Sequence, residues 1–120
     1  MIASGNDASV FKGQTVRTLI TNQQDLDTKK DQIARFIKAY RETIDWMYSS
    51  DDALKVYAEW LGITVEKAKR TRDGFFPRAA LEVDKIVGLD TIVNDAVELK
   101  YTPTPLTKEQ IGQLIQLQPK

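Results

Sequence analysis

The side chains that could do acid–base chemistry in this chain are carboxylates, because the sequence contains neither histidine nor cysteine. Without imidazole or thiolate, most hydrolytic triads, thiol catalysis and transition-metal sites are excluded. The nearest approach to an acid–base pair is the set Asp45, Asp51, Asp52 and Glu59. No glycosidase or metal-loop spacing links them, and their context suggests helix caps and exposed helix faces. We therefore expect no catalytic residue, no metal and no cofactor, and predict that the protein is not an enzyme.

A run of basic residues, Lys67-Ala68-Lys69-Arg70-Thr71-Arg72, could bind phosphate or nucleic acid. On a helix that turns by about 100° per residue, its four charges spread over about 140°, which describes a broad solvated face. Glu66 and Asp73 flank the run, and the 17 basic residues of the chain are balanced by 17 acidic ones. The chain therefore has no overall positive field, and nucleic acid is not an expected partner.

Aromatic residues gather in one part of the chain and could form a stacking platform for a planar ligand: Tyr40, Trp46, Tyr48, Tyr57 and Trp60. Tyr40 and Tyr57 fall within apolar stripes of helical spacing, and the two tryptophans fall beside those stripes. Core residues and core borders show this placement, so packing is the expected role of the set.

The beginning of the chain, Ser4-Gly5-Asn6-Asp7-Ala8-Ser9, is small and polar. Such a segment can place backbone N–H groups against a ligand, although a plain loop is the alternative. The first seven residues lack the basic start and apolar stretch of a secretory signal. We expect either a cytoplasmic protein or a sequence that begins after such a signal.

The elements that would position these residues are mainly helical. We predict one domain over 1–120, in which 1–13 is a loop and 14–21 is a strand, because β-branched residues alternate there. A lone strand cannot pair its own backbone groups, so it needs missing strands or a second copy as its partner. Helices are predicted from apolar stripes and cap signals over five ranges: 28–49, 51–61, 64–73, 85–100 and 107–116. The stripe of the first helix is Ile33, Phe36, Ile37, Tyr40, Ile44 and Met47, and that of the second is Leu54, Tyr57, Ala58 and Leu61.

Helix ends carry the clearest local signals. Ser50 can cap the helix over 51–61, and Gly62 can end it. Gly88 falls inside the predicted helix over 85–100 and should weaken it by about 1 kcal/mol relative to alanine. Thr107 and Gln110 have the spacing of a capping box for the last helix.

Three long segments resemble the C-terminal part of solute-binding proteins of ABC transporters. They are AYRETIDWMYSSDDALKVYAEWLGI, AKRTRDGFFPRAAL and KIVGLDTIVNDAVELKYTPTPLTKEQIGQLI, and a similar lead-in reads SGND and then FKGQTVRTLIT. The resemblance is to the nitrate, sulfonate, taurine and thiamine-precursor type of these periplasmic binding proteins. It lies in a long pattern over most of the chain and includes no short signature.

That resemblance implies the C-terminal fragment of a two-lobed α/β protein, with most of the ligand cleft outside this chain. Its full-length form would be periplasmic or extracytoplasmic, would bind a small organic solute such as a sulfonate or a pyrimidine, and would deliver it to an ABC permease. The strand over 14–21 would lie near the crossing between the lobes, with its partner strands outside the chain. Asn6 and Asp7 match the lead-in to that crossing, so they are the expected ligand-contacting residues.

Two other functions remain open from the sequence. A free-standing helical interaction module could form a homodimer through the Gln14–Thr21 strand or through exposed apolar surface. A small nucleic-acid binder would use the basic run over 67–72. The sequence has no run of about 18 apolar residues, so no membrane-spanning helix is expected.

Overall fold

A computed structural model gives the fold and describes residues 7–9, 12, 15 and 17–116. The described part of the chain forms six α-helices and one four-residue 3-10 helix. The elements are, in chain order, α1 Gln23–Thr28, α2 Lys30–Ser49, α3 Asp51–Leu61, α4 Val65–Phe75, the 3-10 helix Arg78–Leu81, α5 Leu89–Glu98 and α6 Lys108–Leu114. The mainly helical class agrees with the expectation from the sequence.

The predicted strand over 14–21 is wrong. Its described residues, 15 and 17–21, have no regular secondary structure, and the rest of the described chain contains no strand either. Thr15 exchanges only two hydrogen bonds with Val87: its N–H donates to the Val87 carbonyl at 3.1 Å, and its Oγ1 accepts from the Val87 N–H at 2.8 Å. Strand propensity reflects packing on a sheet, so a β-branched run without a partner strand stays irregular.

The chain divides into two compact units. One unit spans Leu19–Glu82 and holds α1 to α4 with the 3-10 helix. The other contains α5, α6 and the described residues up to Thr18.

Local signals explain the boundaries of α3 and α4 in the first unit. The Ser50 side chain accepts a hydrogen bond from the Asp52 N–H at 3.2 Å, which caps the first turn of α3. Gly62 ends α3 in the left-handed conformation, with φ of 64°. Thr64 then caps α4 by accepting from the Lys67 N–H. This helix continues through Gly74 to Phe75, two residues beyond its predicted end.

The core of this unit lies among α2, α3 and α4 and is small. Its buried apolar residues are Ile37, Ala53, Leu54, Ala58 and Ala68. Three of the five are alanines, so the helices are held together by close backbone approach more than by large side chains. Phe36 belongs to the predicted stripe of α2, yet it is more than half exposed.

A short helix that the sequence did not reveal, α1, precedes α2. The Asn22 side chain caps it by accepting from the Asp25 N–H at 2.8 Å. Lys29 then leaves helical geometry with φ of −119° and ψ of 29°, and α2 begins at the next residue. Lys29 also pairs with Asp25 at 2.7 Å, which lowers the pKa of that carboxyl chiefly through a hydrogen bond.

In the second unit, α5 begins four residues later than predicted because Gly88 is its N-cap. Gly88 has φ of 78°, a left-handed conformation that costs glycine little and that a helix interior does not contain. The capping box predicted for α6 is present: the Thr107 hydroxyl accepts from the Gln110 N–H, and the Gln110 side chain accepts from the Thr107 N–H at 2.8 Å.

Candidate functional site

The surface most suited to binding is an exposed apolar strip on α3, made of Val56, Tyr57 and Trp60 and named here the α3 strip. Trp60 is 78% exposed and Val56 is 53% exposed. The Tyr57 and Trp60 rings stack with their centroids 6.3 Å apart and their planes at 27°. Stacking holds the indole in place on the surface, so the strip presents a partly ordered aromatic group to solvent.

The helix geometry of α3 explains why this strip is exposed. Residues four apart on a helix are neighbours, so Val56 and Trp60 lie side by side. The buried residues of α3 are Ala53, Leu54 and Ala58, and at about 100° per residue Val56 points well away from Leu54 and Ala58. Trp60 points in nearly the same direction as Ala53, but it lies about two turns further along the helix and is exposed there. Tyr57 is half-buried and lies between the two sides. The amphipathic pattern therefore leaves one tryptophan and one valine on the solvent side.

Charged residues line one edge of the α3 strip. Asp52, Lys55 and Glu59 follow each other at intervals of three and four residues, with charges that alternate in sign. Lys55 Nζ lies 2.8 Å from Asp52 Oδ1. That hydrogen bond is the main reason why the pKa of Asp52 is lowered and the pKa of Lys55 is raised from their ordinary values.

A second stacked aromatic pair lies on α2. The Phe36 and Tyr40 rings are 6.4 Å apart, with planes at 30°. Phe36 is largely exposed and Tyr40 is half-buried. The aromatic set predicted from the sequence thus divides: its tyrosines are partly buried and Trp46 is 42% exposed, whereas Trp60 is 78% exposed.

Tyr48 and Arg72 join the end of α2 to α4, and we call this pair the Tyr48–Arg72 latch. The Tyr48 hydroxyl donates to the carbonyl of Phe76, and Arg72 Nη1 donates to the Met47 carbonyl at 2.7 Å. The guanidinium also lies over the Tyr48 ring at 5.0 Å from its centroid. Burial raises the pKa of Tyr48, while the nearby charge of Arg72 acts in the opposite direction. These contacts are structural and leave no group directed at a ligand.

The basic run over 67–72 does not form a single positive face. Arg72 turns inward and its side chain is only 13% exposed. Lys69 and Arg72 both bind the carboxylate of Asp73, and hydrogen bonds from these two residues, Lys69 first, lower its pKa. Ala68, in the middle of the run, is fully buried. The arrangement supports the structural interpretation of these residues.

The carboxylates considered for acid–base chemistry are also separated into different roles. Asp45 pairs with Arg78, and Asp52 pairs with Lys55. Asp51 and Glu59 are exposed on α3. Within the described residues, no cluster of three or more potential ligands could hold a metal ion.

The ligand-contacting residues predicted from the sequence are Asn6 and Asp7, and the structure describes only Asp7. Asn6 lies outside the described residues, and Asp7 is exposed. The assignment of these two residues to a ligand site stays a prediction.

An open polar groove lies at the break between α1 and α2, with a volume of about 470 Å³. Its lining consists of charged and polar side chains of both signs, from 27–32 and Arg35. Binding pockets for small molecules are usually enclosed and mostly apolar, so this groove has the character of ordinary solvated surface.

The sequence predicts Trp60 at the border of the core and assigns no role to Val56. A signal for the α3 strip was present in the spacing, because Val56 and Trp60 are four residues apart and lie outside the predicted stripe of Leu54, Tyr57, Ala58 and Leu61. None of the described helices is both long and apolar enough to cross a lipid bilayer. Comparison with known proteins adds no identification: no family model, no curated protein and no solved structure matches this chain.

Proposed function

We propose that this protein is a helical protein–protein interaction module whose α3 strip binds another polypeptide. The observation that carries the proposal is the exposure of Trp60, stacked on Tyr57 and adjacent to Val56. Trp60 and Val56 leave on the order of 300 Å² of apolar side-chain surface in contact with water, within the range of functional surface patches. Tryptophan is also among the residues that contribute most to binding energy at protein interfaces.

The rest of the described chain favours binding over catalysis. Its carboxylates are dispersed, and Arg72, whose side chain is only 13% exposed, is used to join the end of α2 to α4. An interaction surface needs neither a cleft nor a reactive group, only apolar anchors and a polar rim. The α3 strip with its edge of Asp52, Lys55 and Glu59 has this composition.

Photo-crosslinking in the native cell tests the proposal. Trp60→benzoylphenylalanine should give a discrete adduct on irradiation, whose second polypeptide is identified by mass spectrometry. Adding Val56→Asp should abolish that adduct, because a charge at the centre of the strip would be desolvated on binding. Tyr101→benzoylphenylalanine is the matched control, since Tyr101 is 81% exposed but lies on the other unit. Absence of any Val56-dependent adduct would contradict the proposal.

A second candidate is the one implied by the family resemblance, a portion of a transporter solute-binding protein. Large apolar side chains are exposed in both units, among them Phe75 in the first and Leu99 and Leu114 in the second. In a larger two-lobed protein such side chains would pack against other elements. The backbone at 17–21 is irregular, so the strand that would have paired with such elements is absent there. The exposed apolar side chains therefore support this candidate less directly than Trp60 supports the first.

A ligand screen distinguishes the second candidate from the first. Protein expressed from the complete reading frame is heated with sulfonates, pyrimidines or nitrate while unfolding is followed. A true ligand at about 100 times its Kd should add about 2.7 kcal/mol to the free energy of unfolding. Asp7→Ala should reduce that gain if Asp7 contacts the solute, whereas Asp90→Ala, on α5, should not. A melting temperature unchanged by every ligand would contradict this candidate.

A further inference from the structure

The partner that the α3 strip fits is a second copy of this chain. We infer that two copies associate through antiparallel packing of α3 against α3, around a two-fold axis near Tyr57. This inference rests on the proposed function, since it names the polypeptide that the strip binds. Three features of the described residues support it: the charge pattern at the edge, the apolar area of the strip and the overall charge balance.

The charged edge is complementary to itself in the antiparallel orientation. In an antiparallel helix pair related by a two-fold axis, the same edge of each helix faces its own copy. An axis near Tyr57 places Lys55 of one copy opposite Glu59 of the other, and this happens twice in the dimer. Gly62 of the second copy would then lie near Asp52, so no like charges are brought together. A parallel two-fold arrangement would instead bring this edge against the opposite edge of the second copy, so the two Lys55–Glu59 pairs would not form.

The apolar area of the strip predicts how strong this association is. Interfaces of standard size bury about 800 Å² per partner, somewhat more than half of it apolar. The strip supplies on the order of 300 Å² of apolar surface per copy, which places the dimer among small, reversible interfaces. We expect a weak dimer with a dissociation constant in the micromolar range, since an interface this small gains little beyond the cost of association.

The charge balance of the chain allows two copies to approach. Seventeen basic and seventeen acidic residues leave no net charge at pH 7, so no long-range repulsion opposes self-association. The remaining rim charges therefore determine orientation instead of preventing contact.

Sedimentation equilibrium of the full chain, from about 5 to about 500 µM, tests the inference because this span brackets the expected constant. The wild-type chain should change from monomer to dimer across the range. Trp60→Ala should weaken the dimer about thirtyfold, as loss of an interface hot spot does. Tyr101→Ala is the matched control and should leave the constant unchanged, since it removes an equally exposed aromatic side chain from the other unit.

A charge exchange tests the antiparallel geometry. Lys55→Glu and Glu59→Lys should each weaken the dimer about fivefold, because each opposes like charges across the axis. Combining the two substitutions should restore the constant to within about twofold of the wild type. Lys38→Glu, on the exposed face of α2, should have no effect. Circular dichroism of each variant confirms that the helices are retained.

A chain that stays monomeric at every concentration would overturn the inference, as would a double exchange that fails to restore the dimer. The proposed function is still supported in that case if crosslinking at position 60 gives an adduct with a different polypeptide and Val56→Asp abolishes that adduct. If neither a dimer nor such an adduct forms, both proposals fail. An adduct with the mass of two copies supports both.

Discussion

Arg72 is a residue of α4 whose side chain reaches the end of α2. Its guanidinium bonds the Met47 carbonyl, lies over the Tyr48 ring and pairs with Asp73. Its side chain is only 13% exposed, and a hydrogen bond from a charged donor to a partly buried carbonyl contributes more than a neutral one. The same basic run thus contains one structural arginine among solvated cations.

Arg72→Ala should lower the free energy of unfolding by about 2 kcal/mol, because the Met47 carbonyl loses a charged donor and Tyr48 loses its cation. Urea unfolding followed by circular dichroism measures the change. Arg70→Ala is the matched control, since Arg70 is exposed on the same helix and should change stability by less than about 0.5 kcal/mol. Equal effects of the two substitutions would show that the Tyr48–Arg72 latch does not stabilise the fold.

For individual residues, the sequence predicted which helix positions are buried better than it predicted how exposed their neighbours are. Ile37, Leu54 and Ala58 fall within the predicted apolar stripes, and the structure buries all three. Trp60 was placed at a core border because helical periodicity gives only a direction around the axis. How far burial extends around the helix on either side of that direction depends on the neighbouring helix. Here the contact between helices is made largely by small alanines, so the buried face is narrow. Periodicity alone does not contain that information.

The two glycines near the ends of α3 and α4 differ in their conformations. Gly62 has φ of 64°, whereas Gly74 has no positive φ and lies within α4. A Cβ atom at either position would meet nothing within 4 Å. Any effect of alanine there must therefore come from backbone conformation and not from crowding, which makes the two positions a matched pair.

Gly62→Ala should destabilise the protein by about 1 kcal/mol, because alanine in the left-handed region is strained. Gly74→Ala should stabilise it by up to about 1 kcal/mol, because alanine is the better residue within a helix. Thermal unfolding of both variants beside the wild type measures the two shifts. If both substitutions stabilise the protein, Gly62 does not have the left-handed conformation. If both destabilise it, Gly74 does not lie within a helix.

Helices were predicted correctly where a cap residue and a helical spacing of apolar residues agreed. The strand prediction failed because it depended only on the strand propensity of β-branched residues. The N-caps Ser50 and Thr107 form as predicted, because a cap depends on residues a few positions apart. The strand over 14–21 depended on a partner elsewhere in the chain, which local sequence cannot guarantee. Likewise Gly88 was assigned to a helix interior because the sequence does not distinguish a tolerated glycine from one that begins a helix.

On the scale of the whole molecule, burial is unevenly distributed. All five buried apolar residues belong to Leu19–Glu82. The other unit has no residue classed as buried among those described, and its helices α5 and α6 are short. Because hydrophobic burial is the main source of folding free energy, we expect the first unit to contain most of the stability of the chain.

A fragment of 19–82 should therefore fold by itself, with a helical circular dichroism spectrum and a cooperative thermal transition. Its melting temperature should lie within about 8 °C of the main transition of the full chain, which corresponds to a loss of about 1 kcal/mol for a unit of this size. A fragment of 83–116 is the control and should show no cooperative transition, because isolated short helices are marginal in water. Leu54→Ala in the 19–82 fragment should remove the transition, since truncating a buried leucine costs about 2 to 5 kcal/mol. If 19–82 unfolds gradually while the full chain unfolds cooperatively, stability depends on residues outside this unit, and the burial argument is wrong.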